Sequence, residues 1–258
     1  MSVRVAIGDF SRMTQLSVKA LRHYHDVGVL VPAMVDPDSG YASMTLRRCQ
    51  WRRSSAGSAI RLALTNIAMI AVGWGVFTWI VPPYVSGEIG AGPRVIGLML
   101  TANAITVVVA QLPMARLAEG RRRAVTMAIA ALTFVLACFL VVSAGNLGRT
   151  YAYPALLAAA ILIGVGECFY TTVLMPLVAD LAPAALRGRY MATIGLSWWL
   201  GLALAPTLGT QVLSVSPPAA MLGAAGVALA AGLSALALEG ALPTTTRLTP
   251  RPAARGRD

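Results

Sequence analysis

Charge is what this 258-residue chain has least of: 12% of its residues are charged, about half the usual share of a soluble domain. Together with 57% hydrophobic residues and a mean hydropathy of +0.70, that scarcity excludes a water-soluble globule. The three cysteines, Cys49, Cys138 and Cys168, form no CxxC pair and no cluster with the two histidines, so neither a disulfide framework nor a zinc site is indicated. No Walker motif, no glycine-rich dinucleotide loop, no Ser/His/Asp set and no HExxH is present, which leaves enzymatic chemistry and a bound cofactor without residues to carry them. Residues 1–30 alternate charged and apolar side chains with no continuous apolar core, so this stretch is not expected to act as a secretory leader.

What is present in its place is long uncharged sequence. No Asp, Glu, Lys or Arg occurs in the 26 residues from Leu62 to Gly87 or in the 49 from Tyr190 to Leu238. A spanning helix needs about 20 mostly apolar residues. Uncharged runs predict six spans, at 62–84, 95–115, 124–146, 154–178, 190–213 and 218–238. Arginine is concentrated in alternate loops: four lie between Arg116 and Arg123, two at Arg187 and Arg189, and four after Leu242, against the single Arg94 and Arg149 in the intervening loops. The positive-inside rule then predicts both termini on the cytoplasmic side of a cell membrane, the bacterial inner membrane, with the bilayer as the first partner. Glycine and alanine are expected to make the helix contacts, with Gly73, Gly75, Gly164, Gly166, Gly195, Gly201 and Gly209 at close approaches. Pro82, Pro113, Pro176 and Pro206 are expected at or near span ends.

The first 61 residues are different in kind, with nine Lys or Arg against four Asp and no unbroken apolar run. They predict a water-facing module over 1–45, a linker over 46–60, a membrane domain over 61–242 and a basic tail over 243–258. Within the module, Ile7 to Val31 reads as two short helices around a turn, the second capped by Ser17 and ended near Gly28. Asp36 to Gly40 then has the composition of a hairpin turn between apolar strands.

That arrangement resembles the winged helix-turn-helix of the MerR family of transcriptional regulators, whose IGxxA, SxxTLRYY, GLLxP and GYR pattern is matched over about 40 residues. The resemblance implies DNA as a partner, gripped by Arg12, Ser17, Lys19, Arg22, His23 and Tyr24. Ala20 stands where the family has Thr, and Ala42 replaces the wing arginine after Gly40 and Tyr41. The family's long dimerisation helix has no counterpart before the first span, so the implied binding is that of a monomer and weak.

The loops PMARLAEGRRRAV and ADLAPAALRGRYMA resemble the interhelical loops of the major facilitator superfamily. Glu119 takes the acidic place, Gly120 follows, and Arg121, Arg122 and Arg123 supply the basic run. The resemblance implies a mainly α fold, the six-helix C-terminal half of such a transporter, preceded by the small winged helix. It implies secondary transport of a small solute along a path that a complementary half or a second copy completes. Arg116, Glu119, Arg121, Arg122, Arg123, Asp180, Arg187 and Arg189 would then gate its cytoplasmic end, or serve as topology charges alone. Two other readings stand beside transport: a membrane-tethered transcription regulator, and a truncated fusion that does neither.

Inside the spans one ionisable residue stands out. Glu167 lies 13 residues from both Pro154 and Asp180, hence about 20 Å along a helix from each and near the bilayer centre. An ionised side chain there costs about 2.5–3.5 kcal/mol on translocon scales, so Glu167 has to face the bundle, hold its proton or find a partner. At helical spacing Gly164, Tyr170 and Thr171 share its face. Asn103 and Gln111 on span two make a second polar strip, which Asn66 on span one is expected to join. Proton coupling or substrate contact is one reading of Glu167; an interhelical hydrogen bond is the other. Trp74, Trp198 and Trp199 read as packing or interface anchors.

Overall fold

The computed structural model describes residues 2–6, 11–12, 17–19, 34–35, 42–47, 51–182 and 186–250. The chain separates into two compact units, Met1–Ser55 and Ala56–Asp258.

In the first unit, strand β1 (Ser2–Ala6) pairs antiparallel with β3 (Ala42–Arg47), which also pairs with β2 (Met34–Val35), giving the order β1-β3-β2. Met34 faces Ser43 and Val35 faces Ala42, so β2 and β3 form the hairpin expected around Asp36–Gly40. β1 is an addition: Val3 and Val5 alternate with Arg4 in the period of a strand, and only a partner strand 40 residues on could make use of it. Residues 11–12 and 18–19 are helical.

The second unit is a bundle of long helices. Helix α1 (Trp51–Ile70) runs into a π-helical turn (Ala71–Val76) and the short α2 (Phe77–Trp79); α3 (Val81–Glu88) leads to α4 (Pro93–Ala118), α5 (Arg123–Ala144), α6 (Arg149–Leu181), α7 (Arg187–Val215) and α8 (Pro217–Glu239). Among the described residues, six stretches are long and apolar enough to cross a membrane: Gly57–Trp79, Pro93–Ala118, Arg123–Ala144, Thr150–Leu181, Arg187–Val215 and Pro217–Glu239. They contain most of each run read from the sequence, the first lying five residues earlier. The expected linker is in part helical, because α1 already begins at Trp51 and no proline or acidic residue interrupts it before the span.

Helix α5 lies between α6 and α8, and α4 packs along α6. Close approach is made by missing side chains. A Cβ on Gly166 would meet the Thr133 hydroxyl and Phe134, and one on Gly73 would come within 2.6 Å of the same ring, so Phe134 is clasped between α6 and the π turn. Helix α7 crosses α1 and the π turn equally tightly: a Cβ on Gly75 of the turn would meet that of Ala205, and one on Gly201 would come within 2.6 Å of the Ile67 carbonyl of α1. Gly195, expected at such a contact, faces open space instead. Pro82 opens α3, and Pro113 and Pro176 stand five residues before the ends of α4 and α6, near span ends as expected; Pro206 lies nine residues before the end of α7, well inside a helix that continues on both sides. Trp74 and Trp198 pack with ring centroids 4.9 Å apart at 53°, while Trp199 is exposed on the outer surface.

Candidate functional site: a polar strip and a sealed arginine

Glu167 is 6% exposed, on the face of α6 that meets α4. The Asn103 amide of α4 donates to Glu167 Oε1 at 3.3 Å and to the Ala160 carbonyl at 3.4 Å. Small residues permit this approach: a Cβ on Gly164 would press on Thr106 at 3.0 Å. Farther along the same seam Gln111 Nε2 donates to Thr171 Oγ1 and Thr172 Oγ1, both at 3.4 Å, and the Cys168 thiol points at the Val107 carbonyl. Thr171 and Thr172 return their hydroxyl protons to carbonyls of their own helix, Glu167 O at 2.8 Å and Cys168 O at 2.7 Å. Glu167, Asn103, Gln111 and Thr171 therefore form one continuous strip along α4 and α6.

Asn66 and Tyr170 do not belong to it. Tyr170 is fully buried and donates to Asn66 Oδ1 at 2.7 Å, while Asn66 Nδ2 donates to Ser197 Oγ at 2.7 Å and the Ile194 carbonyl at 3.3 Å. This second cluster ties α1, α6 and α7 together. The physical reason is angular: three residues along a helix rotate a side chain to about 60° from the first, enough for Glu167 to face α4 while Tyr170 faces α1. The polar strip and the buried cluster lie on adjacent sides of α6.

The arginine-rich end holds a third arrangement that the sequence did not reveal. Arg123, in the first turn of α5, is 1% exposed and donates from Nη2 to Asp180 Oδ2 of α6 at 2.6 Å. Arg122 pairs with Glu239 at the end of α8 at 3.4 Å. Glu119, expected as the acid of this loop, instead ends α4, its backbone N–H reaching the Arg116 carbonyl at 3.2 Å. Arg116, Arg121, Arg187 and Arg189 are exposed. In the first unit Arg12, Ser17 and Lys19 are exposed, whereas Arg22, His23 and Tyr24 lie outside the described residues.

Long apolar helices, loops with an acidic residue before an arginine run, and an intramembrane carboxylate held by an asparagine together define a polytopic membrane protein of the transporter type. Residues 63–257 match the Major Facilitator Superfamily, and the chain belongs to that family. Residues 7–42 match the MerR family regulatory protein, so an N-terminal MerR fragment is joined to the membrane domain. The chain is similar to the "Uncharacterized MFS-type transporter YqjV" of Bacillus subtilis (strain 168), 27% identical over 152 residues, which cover 57% of this chain and 35% of that protein. The match thus spans about a third of the relative's length.

Proposed function

We propose that this chain is a secondary-transporter unit that moves a small solute, coupled to protons, along the α4–α6 strip. The observation that carries the reading is Glu167 itself. A carboxyl buried near the bilayer centre is expensive, and here it is positioned by one amide, Asn103, with no cation beside it among the described residues. A group so placed exchanges a proton or a polar solute group at lower cost than a carboxylate locked to an arginine. The path is completed by a second six-span unit, a complementary half or another copy of this chain, because transporters of this family enclose the path between two repeats. Arginine bias supports a cell-membrane location with the arginine-rich end and both termini cytoplasmic. No enzymatic step is part of the proposal.

The full chain, reconstituted in vesicles containing the pH dye pyranine, tests this against a panel of small cations, amino acids and sugars. The expected result is that at least one solute drives a change in internal pH absent from protein-free vesicles. Silence across the panel under both orientations of a pH gradient counts against transport.

For the N-terminal module we propose weak, phosphate-directed DNA contact, supported by the match over residues 7–42 and by the net positive charge of that segment. The full chain in lipid nanodiscs, titrated with a labelled random-sequence duplex, is expected to bind in low salt and release as salt rises, with Arg22→Ala weaker. Salt-insensitive binding or no binding removes DNA from the account.

A further inference from the structure

The segment after α8 turns back and pairs with the loop between α4 and α5. Gly120, at φ 69°, turns its N–H to the Thr249 carbonyl at 2.9 Å. The Thr249 N–H donates to the Arg121 carbonyl at 3.0 Å, and the Arg123 N–H to the Arg247 carbonyl at 2.8 Å, with Arg122 and Leu248 bridged as in an antiparallel pair. A short 3₁₀ turn, Thr244–Thr246, and a bond from Arg247 Nε to the Leu242 carbonyl at 3.0 Å shape the return. Thr246 and Thr249 of this segment are themselves buried. Beside it lies the Arg123 guanidinium, with one charge-assisted bond to Asp180 and two N–H groups, Nε and Nη1, that meet no partner among the described residues.

We propose that residues 243–250 are a strap that binds the arginine-rich ends of α4, α5, α6 and α8 into one block, leaving α1 and α7 as the pair that moves against it. Three independent features support the division. The first is connectivity: the strap holds the end of α4 and the start of α5 by backbone bonds, Arg123–Asp180 adds the end of α6, and Arg122–Glu239 adds the end of α8. Burial removes Arg123 from competing water, so its pair with Asp180 is electrostatically stronger than an exposed one. The second is packing within the other pair, where a Cβ on Gly201 of α7 would press on the Ile67 carbonyl of α1, and one on Gly75, in the π turn that continues α1, would meet that of Ala205. The third is loose packing around that pair. An apolar groove of about 390 Å³ separates it from α8, lined by residues such as Ala68, Val72, Leu208, Gly223 and Val227. A pocket of about 60 Å³ lies between it and α6, beside Ala59, Leu62, Val178 and Ile194. Between groove and pocket the pair is fastened by polar contacts, Asn66 to Tyr170 and Thr65 to Ser234 at 2.9 Å, and by the single residue Ser216 joining α7 to α8. Held by these contacts, by Phe134 against Gly73 of the π turn, and by the short connections from Leu181 to Arg187 and through Ser216, the two-helix unit tilts as one body where the groove and the pocket leave room.

Spin-label distances measured on the full chain in nanodiscs test this without reference to any solute. In a background with the three cysteines replaced by alanine, labels go on exposed Leu117 of α4, Leu236 of α8 and Ala192 of α7. A narrow Leu117–Leu236 distribution and a broader Leu117–Ala192 distribution are expected. Thr249→Pro, which removes the N–H that reaches Arg121, is expected to broaden the Leu117–Leu236 distances and to speed amide exchange over residues 119–124 at least tenfold. Equal widths for the two pairs in the unaltered strap, or amide exchange unchanged by Thr249→Pro in a protein that retains its helix content, would overturn the proposal.

Discussion

Glu167 is legible in the sequence as an acid stranded in an apolar run, and Asn103 and Gln111 are legible as polar residues eight apart on one helix face. Their joining across α4 and α6 follows from that spacing. The partner of Tyr170 does not, because a one-dimensional face is too coarse to separate neighbours about 60° apart. Arg123 was harder still: in an arginine run nothing local marks which member is buried, and the strap that seals it comes from more than 120 residues later. Two predictions belong at this scale. Asp180→Asn leaves a buried guanidinium without its counter-charge and is expected to destabilise the protein by about 2–3 kcal/mol, below the 3–5 kcal/mol of a fully buried pair because Asp180 is partly exposed. A drop in the thermal midpoint well beyond that of Arg187→Ala on the exposed surface is the sign to look for; equal midpoints would show that the pair contributes little. Tyr170→Phe, Asn66→Ala and the double variant, compared as a cycle, are expected to give a coupling of about 0.6 kcal/mol, the average for hydrogen bonds between membrane helices.

Helix existence and number follow from charge-free length, and the six spans are set by where arginine and acid interrupt it. Helix contacts are less legible. Glycine recurs along α7, and sequence alone does not say that Gly201 meets the Ile67 carbonyl while Gly195, six residues before it, meets nothing. Pro206 misleads for a related reason: in a bundle the freed carbonyls and the bend are tolerated well inside a helix, so a proline need not mark its end. The contrast gives an element-scale prediction. Gly201→Ala forces a methyl against backbone that has no rotamer to yield and is expected to cost about 1–3 kcal/mol, whereas Gly195→Ala is expected to be neutral. Thermal midpoints of the two variants in one detergent decide it, and a tolerated Gly201→Ala would mean that α1 and α7 are not locked together.

At the scale of the whole molecule, a basic water-facing module and an apolar bundle are separable by composition, and each carries a motif specific enough to name its family. The strap is not legible, because its bonds are made by backbone and its sequence, PTTTRLTP, looks like any polar tail. Arginine bias predicts that a reporter fused after Asp258 reads cytoplasmic and one inserted at 89–92 reads external; the reverse pair would invert the bundle. Transport through the α4–α6 strip is the central claim, and Glu167→Gln tests it most directly, since it keeps the size and much of the hydrogen bonding of Glu167 while removing its titratable proton. Reconstituted beside the unaltered chain and Glu167→Ala, with thermal midpoints confirming that each is folded, the Gln variant is expected to lose solute-driven pH change at least tenfold while keeping the stability that the Ala variant loses. Undiminished pH coupling in a folded Glu167→Gln chain would make Glu167 a structural link between α4 and α6 and contradict the proposed path.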